Sequence, residues 1–122
     1  MKALINILSS FVIALAMTAS LHVSAAEAMK PAEAIEVAVS KTQAALDALK
    51  AGASAEEVNK LIRAAADATG EIYSNYKTDK ARDTAINKLK ALRAKVKEGK
   101  NAEAEEGLNN SIKEIGSLKD LI

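Results

Sequence analysis

The sequence predicts an all-α protein, an antiparallel up-down-up-down four-helix bundle built from two similar helical hairpins. Three observations predict this fold. Apolar residues recur at helical spacing in four blocks that are separated by turn signals. After Pro31 there is no proline, and alanine, leucine, lysine and glutamate dominate the composition. Finally, the second half of the chain repeats the first at an offset of 47 residues.

The N-terminal residues 1–26 have the pattern of a secretory signal peptide. Lys2 supplies a positive charge, an apolar run extends to about Leu21, and small residues follow it. Cleavage after Ala25 and cleavage after Ala26 fit this pattern equally well. The alternative is an uncleaved anchor, since the run approaches the length that spans a bilayer, but no basic cluster follows it. We therefore expect cleavage, export to a bacterial periplasm, and no stable membrane anchor afterwards.

Turn signals divide the mature chain into four helices. Gly52 and Gly99 end the first and third helices, since glycine readily adopts the left-handed conformation that follows a helix. Ser54 is a good N-cap for the second helix, with Glu57 three residues on to complete a capping box. Asn101 is the corresponding cap of the fourth helix. Within the bundle of residues 27–122, the expected helices cover about residues 31–51, 55–75, 79–98 and 102–121.

The internal repeat sets the two hairpins in one common register. Between residues 38–61 and 85–108, eight of 24 aligned positions are identical, and the two turn glycines are among them. Leu61 and Leu108 form another of these pairs, and each lies on the apolar stripe of its helix. We therefore expect both leucines to face the centre of the bundle. Several other core positions are alanine, so the helices can approach closely and leave little internal volume for a ligand.

The composition of the mature chain argues against several classes of function. The chain has no Cys, and its only histidine, His22, lies in the signal peptide, so imidazole sites, thiolate sites and most catalytic nucleophiles are lacking. Of 17 basic and 16 acidic side chains, only Lys2 leaves with the signal peptide, and the mature chain is formally neutral. A neutral chain whose two remaining aromatic residues are tyrosines does not suit nucleic-acid binding. We expect no enzymatic activity, no cofactor and no nucleic-acid partner.

Charge is unevenly distributed between the last two helices. Residues 78–100 carry eight bases and three acids, whereas residues 101–122 carry five acids and two bases. One interpretation is a basic docking face on the third helix, for an acidic partner protein or for anionic headgroups. The other is that opposite charges favour correct pairing of adjacent helices and complement the helix dipoles. The candidate partner-binding residues under the first interpretation are Lys90, Arg93, Lys97 and Lys100.

A stripe of oxygen-bearing side chains follows one face of the fourth helix. Glu103, Glu106 and Glu114 lie along it, together with Asn110. Oxygen ligands at this spacing could hold a hard cation weakly. The alternative is a solvated helix face, because spaced carboxylates are usually only hydrated and the chain has no EF-hand loop. The three glutamates are therefore candidate metal ligands of low affinity.

The mature chain resembles the small periplasmic metal-binding proteins, which are four-helix bundles of nearly the same length. The resemblance rests on the segment AALDALKAG at residues 44–52 and the segment LRAKVKEGKNA at residues 92–102, in a doubled hairpin over about residues 34–121. More distantly, the chain resembles the periplasmic b-type cytochrome bundle, through the turn at residues 98–100 and the stretch at residues 63–66.

These resemblances imply the bundle scaffold but supply no ligand. Members of the metal-binding family coordinate metal through histidines along their helices, and this mature chain has none. The cytochrome holds haem through Met and His, at positions where this chain has Val39 and Lys119. The chain is therefore identified as a histidine-free relative, to which no site residue can be carried over.

Together these observations predict a small exported binding or accessory protein without enzymatic activity, present as a monomer or a dimer. Its docking surface would be the basic third helix, and its partner would be a periplasmic protein with an acidic surface. The alternative function is weak handling of hard cations through the surface carboxylates of the fourth helix.

Overall fold

The computed structural model describes residues 30–72, 75 and 77–122, and throughout this part of the chain the only regular structure is helical. The predicted signal peptide, residues 1–26, lies outside the described residues. The helices are α1 (Pro31–Lys50), α2 (Ala55–Gly70), α3 (Asp79–Lys97) and α4 (Asn101–Gly116), followed by a short 3₁₀-helix (Ser117–Leu121). In the described ranges no helix combines the length and the apolar character that crossing a bilayer requires.

The four helices pack as an antiparallel bundle, as the sequence predicts. α2 contacts α1 and α3, and α4 contacts α3 and α1. Lys88 Nζ on α3 lies 2.6 Å from Glu114 Oε2 on α4. Further along α3, Lys95 Nζ lies 2.7 Å from Glu103 Oε1 of α4. Residue numbers therefore fall along α4 as they rise along α3, which shows that these two helices are antiparallel. The core lies between the helices, where each contributes fully buried side chains, for example Ile35, Ile62, Leu89 and Leu108.

The two hairpin turns are built in the same way. Gly52 and Gly99 adopt left-handed backbone conformations, with φ of 85° and 77°. In each turn the amide after the glycine donates to the carbonyl four residues before the glycine, at 3.0 Å in the first hairpin and 2.9 Å in the second. This is the Schellman ending of a helix, in which glycine adopts positive φ without a steric penalty. The predicted equivalence of the two turns is confirmed.

The helices that follow these turns begin differently. The Oγ atom of Ser54 accepts a hydrogen bond of 3.1 Å from the amide of Glu57, as predicted for an N-cap. In the second hairpin the N-cap position belongs to Lys100, and Asn101 is already the first helical residue. The prediction that Asn101 caps α4 is therefore wrong. One residue fewer separates the turn glycine from the helix in the second hairpin.

This missing residue shifts the register of α4 relative to α2. The buried positions of α1 and α3 correspond at the predicted offset of 47, but those of α2 and α4 correspond at 46. The corresponding pairs in α2, α4 and the segments that follow them are Val58/Ala104, Ile62/Leu108, Ala65/Ser111, Thr69/Ile115 and Ile72/Leu118. Leu108 is fully buried, but its true counterpart is Ile62, and Leu61 is only partly buried. The prediction that Leu61 faces the bundle centre is wrong for this reason.

The ends of α2 and α4 also differ from the expected bounds. α2 ends at Gly70 rather than near residue 75, and Ile72 is buried beyond it. The side chain of Asn75 then organises the start of α3, because its Oδ1 accepts from the amides of Lys77 at 2.7 Å and Thr78 at 3.1 Å. The end of the fourth helix tightens into the 3₁₀-helix that begins at Ser117. Such tightening is common in the last turn of a helix.

Candidate functional site

Two of the α3 lysines serve the pairing of α3 with α4. Lys88 binds Glu114 and Lys95 binds Glu103, at N–O distances of 2.6 and 2.7 Å. All four side chains are more than a third exposed, so water and salt screen both pairs. For these lysines the charge asymmetry of the sequence reflects the match between adjacent helices.

The hydrogen bond between Lys95 and Glu103 shifts the pKa of both groups. It lowers the pKa of the Glu103 carboxyl from its ordinary value, and the charge of Lys95 acts in the same direction. The same hydrogen bond, followed by the charge of Glu103, raises the pKa of the Lys95 ammonium. Both groups are therefore charged over a wide range around neutral pH.

The remaining predicted partner-binding residues of α3 form a separate stripe. Lys90, Arg93 and Lys97 follow the i, i+3, i+7 spacing that places side chains on one face of a helix. Lys90 and Lys97 are exposed and make no ion pair with any described residue. We call these three side chains the basic stripe. Lys100 lies beyond the end of α3, and its Nζ lies 3.2 Å from Glu98 Oε1. The structure thus brings together three of the four predicted residues.

The middle residue of the basic stripe is partly enclosed by the bundle. Arg93 is half-buried, and its Nε atom is buried without a hydrogen-bond partner. On α2, Asn59 is 7% exposed, and its Oδ1 atom is likewise buried and unpaired. Such unpaired buried polar atoms are uncommon and call for an explanation. Sequence reasoning missed Asn59, although an amide directly after Val58, on the apolar side of α2, is a signal that could have found it.

The predicted metal ligands on α4 do not form a cluster. Glu103 and Glu114 each bind a lysine of α3, and Glu106 is exposed. Across residues 30–72, 75 and 77–122, no three Asp, Glu, His or Cys side chains are grouped so that they could hold a metal ion. A hard cation at this stripe would have to compete with two lysines for its carboxylates, so the geometry gives the metal-handling alternative no support.

Shallow surface clefts lie along two of the helix pairs, α1 with α2 and α3 with α4. The larger, about 530 Å³, lies between α3 and α4, and Leu92 and Gly107 are among its lining residues. A Cβ atom at position 107 would overlap the side chain of Leu92, so glycine is needed for the close approach of these two helices. The smaller, about 340 Å³, lies between α1 and α2. Both are open to solvent, unlike the enclosed pockets that bury most of a small ligand.

Comparisons of the chain with models of known protein families, with characterised proteins and with solved structures find no match. The resemblance to the small periplasmic metal-binding proteins stays a prediction. The basic stripe and its surroundings on α2 are therefore the observations from which a function can be proposed.

Proposed function

We propose that the protein is an exported, non-enzymatic binding or accessory protein of the bacterial periplasm, which docks an acidic partner protein through the basic stripe. One observation carries the docking proposal. Lys88 and Lys95 bind acids of α4, whereas Lys90, Arg93 and Lys97 share another face of α3 and bind no carboxylate within the part of the chain that the structure describes.

The geometry of the basic stripe sets what kind of surface it fits. Lys90 and Lys97 are seven residues apart, which corresponds to about 10 Å along a helix. An acidic helix with carboxylates at i, i+3 and i+7 presents charges over the same length. Attraction between such surfaces speeds association and falls as salt increases. Lys100 adds less, because its ammonium is already paired with Glu98 at 3.2 Å.

Export is the part of the proposal that N-terminal sequencing tests. The protein isolated from the periplasm is expected to begin at Ala26 or Glu27, because the small residues before these positions suit signal peptidase. A protein that remains in the membrane fraction with Met1 in place would contradict export.

Docking is tested by binding to fluorescently labelled poly-L-glutamate, followed by anisotropy at low and at physiological salt. The triple variant Lys90→Gln, Arg93→Gln, Lys97→Gln is expected to lose binding. A control triple variant has the same net charge but changes exposed lysines elsewhere: Lys41→Gln, Lys50→Gln and Lys113→Gln. The control is expected to retain binding. Equal losses in both variants would show that only net charge matters and would refute a defined docking face.

Cross-linking in cells tests whether the partner is a protein. A photoreactive amino acid at the exposed Ala94, beside Arg93, should cross-link an acidic protein, and the same group at the exposed Ala44 on α1 should not. Combination with Lys90→Gln, Arg93→Gln and Lys97→Gln should abolish the cross-link. The same product from both positions would argue against docking through α3.

A further inference from the structure

α3 carries two half-buried arginines, and only one of them is satisfied. Arg82 donates from Nη1 to the backbone oxygen of Ile72 at 3.2 Å. Its Nη2 atom lies 3.2 Å from Asp83 Oδ1 and 3.6 Å from Asp79 Oδ1. Arg82 thus receives one acceptor from the segment that follows α2 and two carboxylates from its own helix. These partners compensate for the partial burial of its charge.

Arg93 lies eleven residues further on, three helical turns along the same face of α3. Where Arg82 has Asp79 three residues before it and Asp83 one residue after it, Arg93 has Lys90 and Ala94. No described carboxylate pairs with Arg93, and its Nε donor is buried and unpaired. Its stem is held by the bundle, but its charge is left without a partner.

Asn59 is a buried residue of α2, and α2 packs against α3, the helix that carries Arg93. The hydrogen bond between Arg82 and Ile72 marks one level along the two chain segments. Asn59 precedes Ile72 by thirteen residues, and Arg93 follows Arg82 by eleven residues, so the two distances along the chain differ by two residues. In antiparallel helices this difference corresponds to about 3 Å along the axis. The same comparison from Gly70, whose Cβ position would lie 3.9 Å from Ile86 Cδ1, gives about 6 Å, so the two residues lie within about one helical turn of each other. An unpaired acceptor, Asn59 Oδ1, therefore lies near the level of an unpaired donor, Arg93 Nε.

We infer that Arg93 is the anchor of the docking surface, the side chain that receives a carboxylate of an acidic peptide segment of the partner, and that Asn59 positions it. This inference rests on the proposed function and names the residue on which it depends. In the complex, the partner supplies the carboxylate that Arg82 obtains from its own helix. On docking, the Arg93 side chain reorients so that Nε donates to Asn59 Oδ1 while the terminal nitrogens face the partner. Lys90 and Lys97 add attraction on either side.

Charge and shape favour an acidic peptide over an anionic membrane as the occupant. Among the described residues the only large hydrophobic side chains that are exposed are Leu121 and Ile122. They follow α4 in the chain, at the end of the bundle where α3 begins, because α3 and α4 are antiparallel. Lys97 lies at the other end of α3. Among the described residues, no large exposed apolar side chain therefore lies beside the basic stripe to insert into lipid, and three charges attract a membrane surface only weakly.

Arginine rather than lysine matters at this position for a physical reason. A guanidinium can form two parallel hydrogen bonds with one carboxylate, which a single ammonium cannot do. The half-buried stem has also lost much of its rotational freedom before binding, so less entropy is lost when the carboxylate arrives. Lys90 and Lys97 are exposed lysines and lack both advantages.

The test uses a fluorescein-labelled helical peptide with glutamates at i, i+3 and i+7, titrated with the mature protein and followed by anisotropy. Arg93→Lys is expected to raise the Kd about tenfold or more although the charge is kept, since charge-assisted bidentate bonds are lost. The matched control Arg63→Lys changes an exposed arginine of α2 and is expected to leave the Kd unchanged. Lys90→Gln and Lys97→Gln are each expected to raise the Kd about twofold to fivefold, as for exposed charges.

Asn59 is tested as a positioning residue by its coupling to Arg93. Asn59→Ala is expected to weaken peptide binding in the parent but to have no further effect in the Arg93→Lys background, because it acts only through Arg93. Circular dichroism melts of all variants show whether the bundle is intact; Asn59→Ala removes an unpaired buried acceptor and should not lower the Tm.

The outcomes separate this inference from the proposed function. If Arg93→Lys binds the peptide as the parent does, while loss of all three charges abolishes binding, the docking face stands and Arg93 is not its anchor. If the parent protein does not bind the peptide at all, both ideas are overturned. If vesicles of phosphatidylglycerol bind tightly and the peptide does not, an acidic peptide is the wrong occupant.

Discussion

The shifted register between the two hairpins can be tested by truncating one leucine and its two possible counterparts. Leu108 is fully buried, and replacing a buried leucine by alanine removes its burial and leaves a cavity, at a cost of about 2.7–5 kcal/mol. Ile62 is also fully buried, so its truncation to alanine should lower the free energy of unfolding by about 2–5 kcal/mol. Leu61 is only partly buried, so its truncation should cost about 1–2 kcal/mol.

These costs translate into measurable shifts of the melting temperature. In a domain of this size each kcal/mol lowers the Tm by about 4–8 °C. Leu108→Ala should therefore lower the Tm by about 11 °C or more, Ile62→Ala by about 8 °C or more, and Leu61→Ala by about half as much as Ile62→Ala. Because a bundle this small and without disulfides has little stability to spare, Leu108→Ala should be largely unfolded at 37 °C.

The assay is thermal unfolding of the mature protein, followed by circular dichroism at 222 nm, with Lys90→Ala as an exposed control expected to change the Tm little. If Leu61→Ala is as destabilising as Ile62→Ala, the one-residue shift between α2 and α4 is refuted. If neither Leu108→Ala nor Ile62→Ala lowers the Tm by more than a degree or two, the assignment of the core is wrong.

Three further outcomes are expected. Gly107→Ala should lower the Tm, because the added methyl group overlaps Leu92, and Leu92→Ala in the same chain should relieve part of the overlap; an unchanged Tm in the single variant would contradict the close approach. The ion pair of Glu103 with Lys95 stabilises the fold at pH values above the ordinary pKa of a glutamate, and this contribution is lost as the pH falls through the lowered pKa of Glu103. The acid unfolding curve of Glu103→Gln should lack this loss. Superimposable curves for the variant and the parent would show that the pair does not contribute to stability. Haem and copper should not bind the mature chain, which has no His or Cys; a Soret band that persists through gel filtration would overturn this.

Local sequence signals were enough to predict the helices and the hairpin turns. Gly52 and Gly99 both adopt the left-handed conformation expected of them, because that preference depends on the backbone of one residue and not on its neighbours in space. The cap at Ser54 is a contact between residues three apart and was predicted for the same reason. Asn101 has equal capping ability, but the preceding turn is one residue shorter, and the helix begins before an Asn cap can form.

The candidate site was only partly accessible to sequence reasoning. The excess of bases on α3 is visible in the composition. The composition does not show which of these lysines form ion pairs with a neighbouring helix. Lys88 and Lys95 face α4 and bind its glutamates, whereas Lys90 and Lys97 do not. The role of each depends on where a neighbouring helix lies, which helical periodicity alone does not specify.

The sequence by itself determined the all-α fold, the four helices and the doubling of the hairpin, because helical periodicity and glycine turns are properties of consecutive residues. Only the tertiary structure decided the one-residue shift that buries Ile62 in place of Leu61, and only it left Arg93 half-buried on α3 with its Nε atom unpaired. Burial and pairing depend on contacts between residues far apart in the chain, and a change of one residue in a turn rotates the following helix by about 100°.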